Sequence, residues 1–579
     1  MSYQFRLLWI LFFIPSLAWG ATCSSVTSGP WGSATTWSAP CAGSGVPGVG
    51  TFSNYSAVVS RWNSVTTESL TLPATVVEGT LTLETNALVK MAGTLTLGNG
   101  TGRDGTLNLG GESTLAMGTN NIVNNNCRWR SNTTASSWAR VTSGGGSIIK
   151  GALFSFPKQD IVLSYVSFQG VSKASITWYP GNSSGGYPPQ YNGQHVVYDT
   201  WNSVTIGGSG STVAMTLLEG SYSDYRNLNS MVIAGSDGGV GKTQFRNCTF
   251  YSATPKTIQL LRRPYADFTG SLFAELSPAA VHTAGSFVME SVFFYSNDSL
   301  GSQMVYYIPT HQTAPSRVTN CYVWHGGNNP HPFVVSGNGH KLTVTNCIFE
   351  VNSNANAIVG STGLPDLELT NNLLTTGGVL FTTLTQGAGA GKTLNITNNT
   401  TITRLASIHQ GLLLAETNGD WVGSSRLTNN LMVGPATGYA TGFISSTGKP
   451  ATLRITDLSH NGWYHYDAIK TDPGKVITVA RQSNNLPNVD PSFADATRTL
   501  ASWGKINHRA NGTVSGAMAV LLAMNGYNGT TKTQSDRPKP GIVSELISWV
   551  KAGYVAKNPK LQRGGEGGGR IGAYLPDLQ

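Results

Sequence analysis

Val-Thr-Asn-Cys-Tyr-Val at 318–323, Val-Thr-Asn-Cys-Ile-Phe at 344–349 and Leu-Thr-Asn-Asn-Leu-Leu at 369–374 are one phrase written three times. Looser copies bring the number to nine. Before these three stand Phe-Arg-Asn-Cys-Thr-Phe (245–250), Phe-Thr-Gly-Ser-Leu-Phe (268–273) and Val-Met-Glu-Ser-Val-Phe (288–293). After them come Ile-Thr-Asn-Asn-Thr-Thr (396–401), Leu-Thr-Asn-Asn-Leu-Met (427–432) and Leu-Ser-His-Asn-Gly-Trp (458–463). The first position is apolar in all nine copies, and the last in every copy but the one that ends on Thr401. Self-similarity at a period of 20 to 31 residues marks a solenoid.

The composition of the phrase selects the kind of solenoid. Each copy is a short run of β-branched and aromatic residues bounded by Gly, Ser, Asn and Asp, which is strand chemistry. Leucine at amphipathic helical spacing is missing from residue 22 to about 510, which excludes helical-pair solenoids. The expected fold is all-β: a single-stranded parallel β-helix, right-handed as parallel crossovers nearly always are. The third column of the phrase holds Asn247, Asn320, Asn346, Asn371, Asn398 and Asn429. The fourth reads Cys248, Ser271, Ser291, Cys321, Cys347, Asn372, Asn399, Asn430 and Asn461. Asn tolerates left-handed backbone at a sharp corner, and stacked amides can hydrogen-bond from rung to rung. Weaker copies at 163–168 and 196–201 bring the count to about twelve rungs. At ~4.8 Å each, these give a rod of roughly 55–60 Å before its ends are added.

The chain divides into four stretches. Residues 1–20 have the form of a secretory signal: Arg6, the apolar run Leu7–Ile14, then Ala18-Trp-Gly20 as a cleavage site. The expected location is therefore outside the cytoplasm, secreted or periplasmic, and no later stretch is apolar enough to span a membrane. Residues 21–126 form an N-terminal cap and first rungs, with strand phrases such as Gly-Thr-Leu-Thr-Leu-Gly (93–98) and Gly-Thr-Leu-Asn-Leu-Gly (105–110). Trp31 and Trp37 are expected to close the open end of the core rather than to stack on sugars. Residues 127–490 are the main β-helix, and 491–579 a small C-terminal cap with helical runs at 515–524 and 542–550.

Two segments carry a family resemblance. The two tryptophans followed by Gly45-Val-Pro47 resemble the opening of many secreted bacterial β-helix proteins. The order Asp490-Pro-Ser-Phe493 to Ile571-Gly-Ala573 resembles the terminal segment of secreted bacterial right-handed β-helix proteins related in fold to pectate lyases. The resemblance implies an exported rod that acts on polysaccharide. The chemistry of such lyases and hydrolases is not written here: there is no carboxylate cluster for calcium, no Asn-Thr-Asp and no Gly-His-Gly phrase. Asp199 and Asp224 fall near adjacent corners but make a weak catalytic couple.

Charge and cysteine add bounds. The formal net charge is +9, of which residues 501–579 hold +6, so the rod body is nearly neutral. With only 11% charged residues and no basic stripe interleaved with aromatics, nucleic acid is a poor partner. Cys23 and Cys41 bracket a short loop and are expected to form a disulfide. Cys321 and Cys347 share a column, where parallel Cβ vectors suit free buried thiols better than a bridge. No zinc-type spacing, other metal site or cofactor motif occurs. Two acid-free basic intervals, 113–159 and 238–266, are candidate anion-binding faces.

The expected partner is an extracellular polysaccharide or cell-surface glycan, bound and, if the rod is an enzyme, cleaved by a lyase- or hydrolase-like reaction. The competing expectation is a structural or adhesive rod without an active site. Counting back from the rung markers puts Arg262, His282 and His311 at one angular position on successive rungs, as candidate catalytic groups. Arg263, Tyr265, Tyr306 and Tyr307 fall nearby as candidate substrate-binding groups. Arginine would neutralise a uronate, while His or Tyr would move a proton.

Overall fold

The computed structural model describes residues from Thr22 to Trp503, with interruptions in many of the turns between strands, and residues 542–574. Residues 1–21, 504–541 and 575–579 lie outside the described residues, and with them the expected signal and the helical run at 515–524. The described chain is a parallel β-helix with three strands to a rung. One rung shows the order: Ser316–Thr319 in what we call sheet one, Tyr322–His325 in sheet two and Phe333–Val335 in sheet three. Every inter-rung pairing is parallel, for example Val318 with Val344 and Val344 with Leu369. Sheets one and two merge through two long strands, Gln159–Gln169 and Gln190–Asp199. Sheet three holds 18 strands, so the rod is longer than the twelve-rung expectation, on the order of 80 Å. The increase comes from the N-terminal hundred residues, whose Thr80–Leu83 and Gly105–Gly110 are regular rungs in register with Cys127–Asn132.

The interior is built from columns rather than layers. Phe168, Tyr198, Tyr225, Phe250, Phe273 and Phe294 stack face to face on successive rungs, with centroids 4.8–5.4 Å apart and ring planes within 14°. The column continues through Val323, Phe349, Leu374, Thr401, Met432 and Trp463. Trp31 and Trp37 are buried, edge to face at 4.6 Å, with their indole N–H groups donating to Pro47 O and Trp31 O. They therefore close the core, as expected, and Pro47 of the Gly-Val-Pro phrase supplies one acceptor.

Between sheets one and two the chain turns on a single residue with left-handed backbone. Asn247, Asn320, Asn346, Asn371, Asn398 and Asn429 all have φ between 52° and 59°. Gly270 fills the same place at φ 63°, where a Cβ would lie 2.3 Å from the Asn247 side-chain oxygen. The structure corrects one copy of the phrase. Ser291, not Glu290, takes the positive φ, and Met289 pairs with Val318, so this copy runs 289–294 and Val292 stands in the fourth column. The residue after each corner points inward. Asn372, Asn399, Asn430 and Asn461 form a buried ladder there, each amide nitrogen donating to a carbonyl of a neighbouring rung. Each amide oxygen accepts the backbone N–H of the rung below at 2.8–2.9 Å. Cys248, Cys321 and Cys347 occupy the same column as buried thiols outside any disulfide.

The C-terminal segment departs from a simple end cap. It runs back along the outside of sheet two. The fifth position of the phrase (Leu272, Phe293, Tyr322, Ile348, Leu373) is buried under Leu500, Trp503 and the helix Ile542–Gly553, which contributes Val543, Leu546, Ile547 and Val550. Two consecutive apolar residues at the end of six of the nine phrases thus record a sheet covered on both faces. Polar ties fix the position: Leu500 N donates to Glu350 at 2.9 Å, Ser544 contacts Ser291 at 3.2 Å, and Tyr574 N donates to Asn371 at 2.7 Å. Gly572, at φ 93°, brings its backbone against Thr400 and Leu431, where a Cβ would sit within 3 Å of both. This accounts for the glycine of the Ile-Gly-Ala phrase.

These columns generate stability predictions. Asn399→Ala leaves the Asn372 N–H and the Leu369 carbonyl without side-chain partners and is expected to cost about 3 kcal/mol in urea unfolding. Val344→Asp buries an unpaired charge at a fully buried position and should abolish the folded protein. Thr401, the polar exception in the phrase, is buried with its hydroxyl unpartnered, so Thr401→Val should raise stability by about 1 kcal/mol.

Candidate functional site

Sheet two is covered along the upper rungs, whereas the outer face of sheet one presents a polar surface along the rod. Strand alternation turns every second residue outward, and parallel pairing lines these residues up in columns. The column nearest the corner carries Ser164, Gln194, Ser221 and Arg246 on successive lower rungs. Higher up it becomes Thr319, Thr345, Thr370, Thr397, Thr428 and Ser459. The next column carries Asn108, Arg130, Val162 and Asn192 below, and Arg317, Thr343, Glu368, Asn395, Arg426 and Asp457 above.

Charges on this face are paired between neighbouring rungs. Arg128 lies 3.6 Å from Asp104, Arg246 3.0 Å from Asp267, and Arg426 3.7 Å from Asp457. Arg130 bridges to Asp160, which also accepts from Gln190 at 3.1 Å, and Lys341 bridges to Glu368. The arginines remain half-exposed, so each pair contributes little to stability while setting the local potential.

At the lower corner Tyr165, His195 and Tyr222 replace the asparagines at φ 48–52°. Their rings stack at 4.5 and 5.1 Å, nearly parallel, and Trp138 meets Tyr165 edge-on at 5.5 Å. The rings cover one another's faces, so they present edges to solvent and serve as the corner's staple rather than as sugar platforms.

The sequence-derived candidates that are described lie on two faces. Arg262, Arg263, His311 and Cys41 lie outside the described residues. His282 is on sheet three, where its register partners are Gln259 and Tyr306, and Tyr307 pairs with Thr283. Tyr265 opens a strand of sheet one and pairs with Ser286. His282 and Tyr306 are therefore brought onto adjacent rungs, while Tyr265 belongs to another side of the rod. The basic interval 113–159 does not make one face, because a rung wraps three sheets: Arg128 and Arg130 are on sheet one, Arg140 on sheet two and Lys150 on sheet three. Asp224 is buried against Arg226 at 2.5 Å and Asp199 pairs in register with Arg226, an arrangement that uses Asp224 structurally. Cys23 is disulfide-bonded, and Cys127, Cys248, Cys321 and Cys347 are not in disulfides. Among the described residues no group of His, Cys, Asp or Glu could hold a metal ion, and no helix is long and apolar enough to cross a membrane.

Sequence reasoning missed the charge pairing, although its signal was present: when the repeats are aligned, a cation meets an acid one rung away at 130/160, 246/267, 341/368 and 426/457. Comparison with protein-family models, curated proteins and solved structures finds no match to this chain.

One ionisable group is buried away from this face. Lys551, on the covering helix, donates to Asn346 Oδ1 and Asn371 O. Burial lowers its ammonium to about 7, against an opposing pull from Cys347. A lysine with a depressed folded pKa stabilises the fold in its neutral form. That contribution is fully present above pH 10.5 and is lost as pH falls toward about 7. Thermal melts at pH 7, 8, 9 and 10 should therefore show stability rising with pH, and Lys551→Met should flatten the rise. An unchanged slope in the variant would assign the effect elsewhere.

Proposed function

We propose that this protein is an exported β-helix protein, similar in plan to secreted bacterial rods of the pectate-lyase-like fold, that binds an extracellular polysaccharide along the outer face of sheet one. The observation that carries this reading is the periodicity of that face. It offers a hydrogen-bonding side chain at most positions of each column, with Val162 and Val288 the interruptions, in line with the rod axis, and a polymer with a short repeat meets such a surface many times over. Multiple weak contacts on a linked ligand add as avidity. The signal-like residues 1–20 and the bonded Cys23 agree with an oxidising, extracytoplasmic location. Cleavage is the second reading. It is favoured by the register match of His282 with Tyr306, a base and a phenol on adjacent rungs of sheet three.

A glycan array probed with purified protein, followed by mass spectrometry of the bound polymers, tests both readings. Binding without new ends is expected from the first, and shortened or unsaturated products from the second. Asn192→Trp and Gln194→Trp place bulk on the face at outward positions and should weaken binding at least tenfold with melting temperature unchanged. Wild-type binding by both variants would remove sheet one as the site. Binding to no glycan would favour a structural or adhesive rod.

A further inference from the structure

We infer that the polymer accepted by sheet one is uncharged. The inference rests on the polysaccharide reading above and narrows it to a ligand class. A polyuronate carries a carboxylate on every sugar and needs unmatched cations to offset the loss of its hydration. Among the described residues of sheet one, most cations are already matched. Arg128, Arg130, Arg246 and Arg426 each already face a carboxylate on an adjacent rung. Among the described arginines in the strands of this face, Arg317, which stands between Val288 and Thr343, is the exception.

Pairing does more than leave the cations occupied. A polyanion laid along the columns would run over Asp160, Asp267 and Glu368 as well as over the arginines. Each approach to a guanidinium would then bring a ligand carboxylate within a few ångströms of a protein carboxylate. At that separation like charges repel, more strongly near a protein surface than in bulk water, at every repeat. Unfavourable placement of one charge type is a known route to selectivity. A neutral polymer meets no such opposition. Its hydroxyls can donate to the paired carboxylates and to Gln, Asn and Thr oxygens, and can accept from the amide nitrogens of Asn192 and Gln194. The column from Thr319 to Thr397 extends this uncharged hydroxyl surface toward the C-terminal end, two of its members, Thr370 and Thr397, lying within 3.2 Å, and Thr428 and Ser459 beyond them are buried.

The test compares binding of the full-length protein to neutral polymers (a β-glucan, a mannan and a xylan) and to two polyuronates (polygalacturonate and alginate), each at 20 mM and 500 mM NaCl. The expected result is binding to at least one neutral polymer with Kd changing less than about twofold across the salt range, and at least tenfold weaker binding to both polyuronates. A double variant, Asp160→Asn with Asp267→Asn, frees Arg130 and Arg246 without changing side-chain shape. Its melting temperature reports whether it folds, and it should gain salt-sensitive polyuronate binding. Tight polyuronate binding by the wild type that weakens tenfold or more with salt would overturn the inference and leave the polysaccharide reading standing. Binding to neither class would overturn both. The wild-type comparison decides the matter even where the double variant does not fold.

Discussion

The structure depends on one backbone constraint, a single residue per rung held in the left-handed region at the corner between sheets one and two. That residue sets where the strand of sheet one ends and that of sheet two begins. It therefore sets the register of everything stacked above and below. Asn is the usual occupant because its short amide tolerates positive φ. It is also useful once there: Asn346 donates to Asn320, and Asn371 to Asn346 at 3.1 Å, so the corner side chains tie neighbouring rungs. The following residue turns inward and continues the tie in the core, with amides in the upper rungs and thiols or a serine lower down. In the amide rungs the backbone N–H that the turn leaves free is taken up by the next rung's side chain, which is how a buried corner escapes the cost of an orphaned donor.

Register in turn decides which chemistry appears on which face. One residue of slip would exchange inside for outside along the whole strand. With the corner fixed, sheet one shows its charges and hydroxyls to solvent, sheet two shows apolar residues that require a cover, and the aromatic column fills the interior. The ion pairs across sheet one follow from the same alignment: acids and bases that are 21 to 31 residues apart in sequence become neighbours because the rung length, not the sequence distance, sets proximity.

Much of this was legible before any coordinates, and the reasons are local. A left-handed corner has its own residue chemistry, so the Asn column and the rung boundaries could be read directly. Trp31 and Trp37 were readable as a closure because a terminal rung must hide its core. The copy at 288–293 misled because Val288 and Met289 are both apolar and the phrase fits in two registers; only the backbone conformation of Ser291 separates them. The path of the C-terminal segment was not legible. The helical spacing of 542–550 shows that one side is apolar but not which surface receives it, although the doubled apolar residues of six of the nine phrases mark a face needing cover. The candidate strip through Arg262, His282 and His311 assumed equal loops. The rungs vary in length, so counting residues alone does not measure angle around the rod; strand pairing sets His282 beside Gln259 and Tyr306, and Arg262 and His311 lie outside the described residues.

The C-terminal segment also changes how the rod can come apart. A bare solenoid is held by nearest-neighbour contacts and can lose one terminal rung at a time. Here a single covalent stretch is anchored at Ser291, Glu350, Asn371, Thr400 and Asn429, so the rungs between them share one fastening. Peeling any of these rungs requires lifting part of that stretch, held on the lower rungs by the helix Ile542–Gly553 and on the upper ones by residues 566–574, which joins the block into one cooperative unit. The rungs from Ser64 to Tyr251 precede the first of these anchors. The molecule is thus mechanically polar: under heat, force or protease its N-terminal half is the end that opens, and the fastened block is the remnant that persists.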